Sequence, residues 1–145
     1  MINKIASSDS TKSLTDSGSW GNHFGKEITE YIGRYATYTK SDETLSRFSS
    51  EIQTNGTKNA NEYKILTTGA SDKTRAYNIY DVAGNVWELT EETSFLGGNS
   101  ATQYRDIRGS SYYYDSVFFP VCYRHGFLTS SAHCSVGFRV VLYMK

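Results

Sequence analysis

Residues 78–88, which read NIYDVAGNVWE, carry the most specific local signal in this chain of 145 residues. Gly84 and Asn85 both tolerate a positive φ, so together they predict a tight turn. The residues that follow, 86–90, alternate apolar and polar side chains as a half-buried strand does. Trp87 in that strand is large and apolar and is predicted to lie in the core. The stretch therefore predicts a turn that leads directly into a sheet.

Further strands are predicted on both sides of this turn. Residues 104–110 read as a strand that runs to a glycine, and residues 137–143 read as an apolar terminal strand within a sheet. Residues 63–66 indicate a strand or an ordered turn. Residues 26–40 show weak helical spacing before a β-leaning end. Residues 41–62 fit either a short amphipathic helix or a long surface loop.

Composition narrows the possible functions. The 15 basic and 15 acidic side chains cancel, which argues against nucleic acid as a partner. No apolar run is long enough to cross a bilayer, so no membrane insertion is expected. Residues 1–10 are polar and lack the apolar core of a signal peptide. Twelve tyrosines in a chain with 38% hydrophobic residues favour β-rich structure and contact surfaces.

Three blocks in order carry a family resemblance: residues 78–88, residues 108–112 with the sequence RGSSY, and residues 136–140 with the sequence VGFRV. Together they resemble the C-terminal core of the formylglycine-generating-enzyme (sulfatase-modifying factor) family, a branch of the C-type-lectin-like fold. The resemblance implies an α+β fold, with a small twisted antiparallel sheet and long loops. It covers residues 76–145, and the helix that usually precedes this core is not recognisable. We therefore expect residues 1–145 to form a single domain, as the C-terminal part of a longer protein.

The same resemblance assigns a set of framework residues. Arg108 and Arg139 match family arginines that brace the loops by internal pairing, although Ser110 replaces the second glycine of the family's RGGS block. The sequence PVCYR at residues 120–124 resembles the family's P-x-S-x-R element and places Arg124 at its recurrent arginine. The expected framework comprises Trp87, Arg108, Arg124, Gly137, Phe138 and Arg139.

The cysteines argue against the chemistry of the catalytic family members, which bind copper through two thiols just before that arginine. Here Val121 falls where the second thiol would lie, and Cys122 is one position away. From the residues alone, Cys122 and Cys134 could be free thiols, a disulfide or reactive groups, and they form no zinc motif. We expect no enzymatic activity. The alternative is a formylglycine-generating-type thiol oxidase that uses Cys122 or Cys134.

One metal ion is suggested by the resemblance. In some relatives, the loop that corresponds to residues 78–88 helps to hold calcium through backbone and side-chain oxygens. Asn85 and Glu88 could supply oxygen ligands of the kind that calcium takes. Apart from calcium near these two residues, no cofactor is expected.

The segment between the last two blocks has the composition of a binding surface. Residues 112–134 contain seven aromatic residues among 23, whereas ordinary loops are dominated by Gly, Asp, Asn and Ser. Three consecutive tyrosines, Tyr112, Tyr113 and Tyr114, cannot all face inward from an extended chain, because side chains alternate. Some of these rings are therefore exposed or are buried by a neighbouring subunit. Tyr-rich loops on a rigid scaffold are typical of paratopes.

Variable proteins of diversity-generating retroelements are similar to this chain in the same region. They use the same lectin-like branch, and adenine-directed mutagenesis rewrites Asn codons in their last segment into Tyr, Ser, His, Phe, Cys and others. This chain has no Asn after Asn99 and closes with a GFR-type strand. The resemblance implies a variable ligand-binding segment at residues 108–145. The candidate positions are Tyr112, Tyr114, Asp115, Val117, Phe118, Phe119, Val121, Cys122, His125, Phe127, Leu128, His133 and Cys134.

The function expected from this resemblance is non-catalytic ligand binding of the receptor or adhesin type. The loops would be displayed on a phage tail, as part of the virion, or on a bacterial cell surface. The partner would be an unidentified protein or surface ligand, and the domain would be a monomer or a trimer. A third possibility is a structural tail or adhesin module whose aromatic loops are buried between protomers.

Overall fold

A computed structural model of the protein describes residues 17–76, 79–94 and 103–139. The strands in these ranges are β1 Gly21–Asn22, β2 Ile28–Gly33, β3 Tyr35–Thr39, β4 Thr44–Leu45, β5 Gln53–Lys58, β6 Lys64–Leu66, β7 Arg75–Ala76, β8 Ile79–Tyr80, β9 Ala83–Gly84, β10 Trp87–Thr93, β11 Tyr104–Arg108, β12 His125–Leu128 and β13 Val136–Gly137. Two 3₁₀-helices span Gly18–Trp20 and Asp72–Thr74.

The α+β prediction is wrong. Strands hold 44% of the described residues and helical turns hold 6%, and no α-helix occurs in the described ranges. The protein is therefore a small β-rich fold. None of its described helices has the length and apolar character needed to span a membrane.

The largest sheet has four strands in the order β12-β11-β10-β13. β10 pairs antiparallel with β11 and parallel with β13, and β11 pairs antiparallel with β12. The strands predicted after Asn85 and over residues 104–110 are confirmed as β10 and β11. Of the predicted terminal strand, only Gly137 lies in a described strand, β13, and residues 140–145 lie outside the described residues.

Smaller sheets make up the N-terminal half, where the sequence shows weak helical spacing. β2 pairs with β5, and β3 lies between β4 and β6. The helix-like spacing of Ile28 and Tyr31 has a local cause in β2. Glu30 has a φ of 60°, and the register against β5 shifts between Ile28 and Tyr31. Because such a bulge adds one residue, side chains three apart both turn inward. The helical spacing in residues 26–40 is thus that of a bulged strand, and their β-leaning end is confirmed as β3. Of the two alternatives for residues 41–62, the helix is wrong, since the stretch holds β4 and β5 with a loop between them.

The core consists of two clusters that share one strand. One cluster joins Ile28, Tyr31, Leu66 and Ala70, and the other joins Tyr38, Ile65 and Tyr112. β6 supplies Leu66 to the first and Ile65 to the second, because successive side chains of a strand point to opposite faces. This also confirms the strand predicted over residues 63–66. β6 therefore forms the wall between the two clusters.

A parallel pairing of β1 with β9 ties the two halves of the chain together. Gly21 lies opposite Ala83, and Asn22 lies opposite Gly84. Gly84 has a φ of 70°, and a Cβ added there would come within 2.3 Å of the Asn22 carbonyl oxygen. Only glycine meets both conditions without strain. The predicted turn is thus fixed against the N-terminal half.

Candidate functional site

Asn85 is the polar centre that holds the loops in place. Its Oδ1 accepts hydrogen bonds from the Leu66 amide at 3.0 Å and from Asn22 Nδ2 at 3.1 Å. Its Nδ2 donates to the Leu66 carbonyl at 3.0 Å. Its own carbonyl accepts from the Tyr112 amide at 3.0 Å. Because the Oδ1 atom of this buried side chain already accepts two hydrogen bonds from protein groups, it does not fit the role of a calcium ligand.

Arg139 and Glu88 form the second brace. Arg139 Nε donates to Glu88 Oε1 at 2.7 Å, and its Nη2 donates to the carbonyls of Tyr80 at 3.0 Å and Asp81 at 3.1 Å. This internal pairing confirms the bracing role predicted for Arg139. The Glu88 carboxylate is engaged by a guanidinium, so the calcium site expected at Asn85 and Glu88 does not fit this arrangement. Burial raises the pKa of the neighbouring Asp81 carboxyl.

The remaining framework residues differ in their surroundings. Arg108 Nη2 lies 2.7 Å from Glu92 Oε2, which confirms its internal pairing. Arg124 lies 3.7 Å from the same oxygen, but its side chain is 60% exposed. Gly137 packs closely, since a Cβ there would lie 3.2 Å from the Val86 side chain. Phe138 is 79% exposed, so its predicted place in the framework is wrong.

A continuous chain of ring contacts, here called the aromatic ribbon, runs across the loops. Its six rings are Phe24, Tyr63, Tyr113, Tyr114, Phe119 and Tyr123. Successive ring centroids lie 4.5 to 5.0 Å apart. Trp87 packs against three of these rings at 5.9 to 6.3 Å. The ribbon therefore joins the predicted binding segment to the N-terminal half.

The C-terminal end of the ribbon opens onto a cavity of about 370 Å³, here called the aromatic cavity. Trp87 and Ile107 are almost fully buried and belong to the sheet beneath it. Its other lining side chains include Tyr114, Phe119, Tyr123, His125, Phe127 and His133. Burial raises the pKa of the Tyr114 hydroxyl, so this group stays protonated at neutral pH. The cavity thus combines ring surfaces with hydroxyl and imidazole groups.

The thirteen candidate positions separate into four groups. Tyr114, Phe119, His125, Phe127 and His133 line the aromatic cavity. Val117 and Phe118 are 58% and 76% exposed, while Asp115, Cys122, Leu128 and Cys134 are half-buried and are not among the cavity-lining residues.

Two candidates lie in the core instead. Tyr112 and Val121 are 0% and 1% exposed, so they cannot contact a ligand. Tyr113 and Tyr114 are half-buried beside the fully buried Tyr112, so the three consecutive tyrosines do not all face inward. Phe118 is exposed and Phe119 is half-buried within a turn, in which the Phe119 amide donates to the Asp115 carbonyl at 3.1 Å.

The two cysteines remain thiols and form no disulfide. The Tyr112 hydroxyl donates to Cys134 Sγ at 3.5 Å, and burial raises the pKa of that tyrosine strongly. Within residues 17–76, 79–94 and 103–139, no group of three or more His, Cys, Asp and Glu side chains is placed to hold a metal ion. The Cys134 thiol therefore serves as the hydrogen-bond partner of a core tyrosine.

Several cavity residues were absent from the candidate positions. Trp87 and Ile107 come from strands that the sequence assigns to the framework, Ser135 directly precedes β13, and Val136 is its first residue. Tyr123 was passed over although it follows the half-buried Cys122. Its place in the aromatic segment of residues 112–134 is the signal that could have identified it.

Comparison with known proteins places the chain in a family. No curated protein and no solved structure matches it. The profile of the sulfatase-modifying factor enzyme 1-like domain, of the FGE-sulfatase family, matches residues 15–144. The match extends the expected resemblance, which began at residue 76, through the N-terminal half, and it is consistent with a lectin-like scaffold. The chain belongs to the family of sulfatase-modifying factor enzyme 1-like domains.

Proposed function

We propose that this domain is a non-catalytic ligand-binding module whose C-terminal loops are diversified by a retroelement and displayed on a phage tail or a bacterial cell surface. One observation carries the proposal: five of the thirteen candidate positions line the same aromatic cavity. These five residues come from three separate stretches, around residues 114–119, 125–127 and 133. Convergence of variable positions on one cavity is what a built ligand site requires.

The surroundings of the cavity favour recognition of a macromolecule. Val117 and Phe118 present exposed apolar side chains on the segment that supplies Tyr114 and Phe119 to the cavity wall. Exposed aromatic anchors around a concave site supply much of the energy of protein recognition. Beneath them, the Asn85 hydrogen bonds and the Arg139–Glu88 pair fix the backbone, so the loop surface needs little ordering when it binds.

The absence of catalysis is proposed on the placement of the thiols. Cys134 bonds to the buried Tyr112, and Val121 stands where the catalytic relatives have their second cysteine. A thiol oxidase would consume oxygen in the presence of copper and a thiol peptide, and Cys122→Ser would abolish that consumption. We expect no such consumption above that of free copper.

Deep sequencing of codons 108–139 across the source population tests the proposal. We expect substitutions at the exposed Phe118 and at the cavity positions Tyr114, Phe119, His125, Phe127 and His133. Codons for the core residues Tyr112 and Val121 should stay fixed, because their side chains have no access to a ligand. A near-copy of the segment in the flanking DNA would serve as the template.

Codons 28–66 of the same gene provide the matched control for background variation. They encode the N-terminal sheets, which lie outside the expected variable segment. Equal variation in both segments, or an invariant segment 108–139 without a second copy, would refute diversification. Variation concentrated at Tyr112 and Val121 would refute the assignment of the cavity as the binding site.

A further inference from the structure

We propose that the aromatic cavity of this chain binds an organic cation, an alkylammonium group carried by a small molecule or by a lysine side chain of a partner. The inference rests on the proposed binding function and names the chemistry of its ligand. Three features support it: the aromatic lining of the cavity, the lysine amines that already lie over tyrosine rings elsewhere in the chain, and the lack of carboxylate, amide, lysine and arginine side chains among the described residues of the lining.

The lining consists mainly of aromatic rings set at steep angles to one another. Phe119 is inclined by 88° to Trp87 and by 80° to Tyr123. Rings in this relation present faces as well as edges to the space beside them. The face of an aromatic ring carries a partial negative charge, and it attracts a cation within about 6 Å of the ring centre. The Trp, Tyr and Phe rings of the cavity wall are thus electron-rich on their faces.

The chain itself already places ammonium groups on tyrosine rings. Lys40 Nζ lies 5.8 Å from the ring centre of Tyr113, and Lys64 Nζ lies 4.8 Å from that of Tyr35. Tyr113 is part of the aromatic ribbon and contacts Tyr114, a wall of the cavity, at 5.0 Å. The same ribbon therefore holds a cation of the protein at one ring and offers the next rings to a cation from outside.

Other ligand classes fit the lining less well. No Asp, Glu, Asn or Gln lines the cavity among the described residues, so a sugar would lack the paired polar groups that its hydroxyls need. No Lys or Arg lines it either, so an anion would find no fixed positive charge. The nearby Arg124 is not a lining residue and is paired with Glu92. A compact cation, in contrast, is attracted to the faces of the aromatic rings that line the cavity.

Fluorescence titration of Trp87 tests the inference directly. The chain has two tryptophans, and Trp20→Phe leaves Trp87 beneath the cavity as the reporter. The probes are choline and its neutral isostere 3,3-dimethyl-1-butanol, both at pH 8. We expect choline to bind roughly 2- to 30-fold more tightly than the isostere, the range of a cation–π contribution. A third titration uses Nα-acetyl-lysine methylamide, which keeps the charged side-chain amine. It shows whether the cavity prefers a lysine side chain or a quaternary ammonium group.

Tyr123→Leu removes one ring while keeping an apolar wall. It should lower choline affinity and leave binding of the neutral isostere unchanged. Phe48→Leu, at an exposed aromatic residue outside the cavity, is the matched control and should alter neither titration.

Equal affinity for choline and the isostere would overturn the inference, and so would a failure of both cations to bind. Neither result would remove the proposed binding function, which codon variation tests independently. An invariant segment 108–139 together with tight choline binding would instead support the cation site and refute diversification.

Discussion

The polar centre around Asn85 and the aromatic ribbon hold the same loops by different physical means. Asn85 is 5% exposed, and its amide makes three hydrogen bonds with fixed donors and acceptors. The ribbon is held by ring contacts at 4.5 to 5.0 Å and ends beside exposed side chains. Hydrogen bonds in a buried site tolerate almost no replacement, whereas ring contacts are less directional. A fixed polar frame thus supports a surface that accepts change.

The largest effect is expected from Asn85→Ala, which breaks the frame. The change leaves the buried amide and carbonyl of Leu66 without their partners and puts alanine at a φ of 60°. We expect the free energy of unfolding to fall by about 3 to 5 kcal/mol. Urea denaturation followed by circular dichroism measures this loss. Asn55→Ala, at an exposed residue of β5, should stay within about 0.5 kcal/mol, and a similarly small loss at Asn85 would contradict the role of the centre.

A smaller effect on the free energy of unfolding is expected from a change in pH, because a second buried polar group, the Lys58 amine, titrates. Lys58 is fully buried, and its Nζ donates to the carbonyls of His23 at 2.8 Å and Lys26 at 2.7 Å. Burial lowers the pKa of this amine from 10.5 to about 8. Between these two values the unfolded chain binds the proton more tightly than the folded chain. The free energy of unfolding should therefore rise from about pH 8 towards pH 10, by at most about 3 kcal/mol.

Lys58→Met should flatten this rise, because methionine does not titrate. Above about pH 10 the trend should reverse in both proteins, since burial raises the pKa of Tyr31 and Tyr112, and stability that depends on their neutral form is lost as the unfolded tyrosines ionise. Urea denaturation at half-unit pH steps measures both the rise in stability below about pH 10 and the fall above it. A flat profile between pH 8 and 10 in the unmodified protein would show that the amine titrates normally.

The smallest effect on stability is expected at the exposed end of the loops. Phe118 is 76% exposed, so Phe118→Ala should change the free energy of unfolding by less than about 0.5 kcal/mol. Phe119→Ala removes ring contacts to Tyr114 and Tyr123 and should cost about 2 kcal/mol. Thermal unfolding of the two variants side by side measures the difference. A loss at Phe118 as large as that at Phe119 would place its ring in a packed environment.

The sequence predicts local features of the fold better than long-range pairing. The turn at Gly84 and the strands β10 and β11 follow from residues adjacent in sequence, and these predictions are confirmed. The bulge at Glu30 could not be anticipated, because it arises from pairing with β5 more than twenty residues away. It gives Ile28 and Tyr31 the spacing of a helix although they lie in a strand.

The candidate site was predictable to a similar extent. Composition identified the aromatic segment, and alternation predicted that some of its rings are exposed. The sequence could not identify Tyr112 and Val121 as core residues. Tyr112 packs with Tyr38 and Ile65 of the N-terminal half, a contact between residues far apart in the chain. The sequence also did not indicate that Trp87 and Ile107 line the cavity, because each of these side chains belongs both to the core and to the cavity wall.

The pairing of β1 with β9 has a consequence for the order in which this domain folds. The side chains of Asn22 and Asn85 meet across 63 residues of chain, and the adjacent strands pair at Gly21 and Ala83. A contact over so long a loop forms late, because the chain must first lose the entropy of closing it. On the ribosome, the strands before residue 76 lack this tie until Asn85 has emerged. We therefore expect the N-terminal sheets to gain stability when the middle of the chain has emerged.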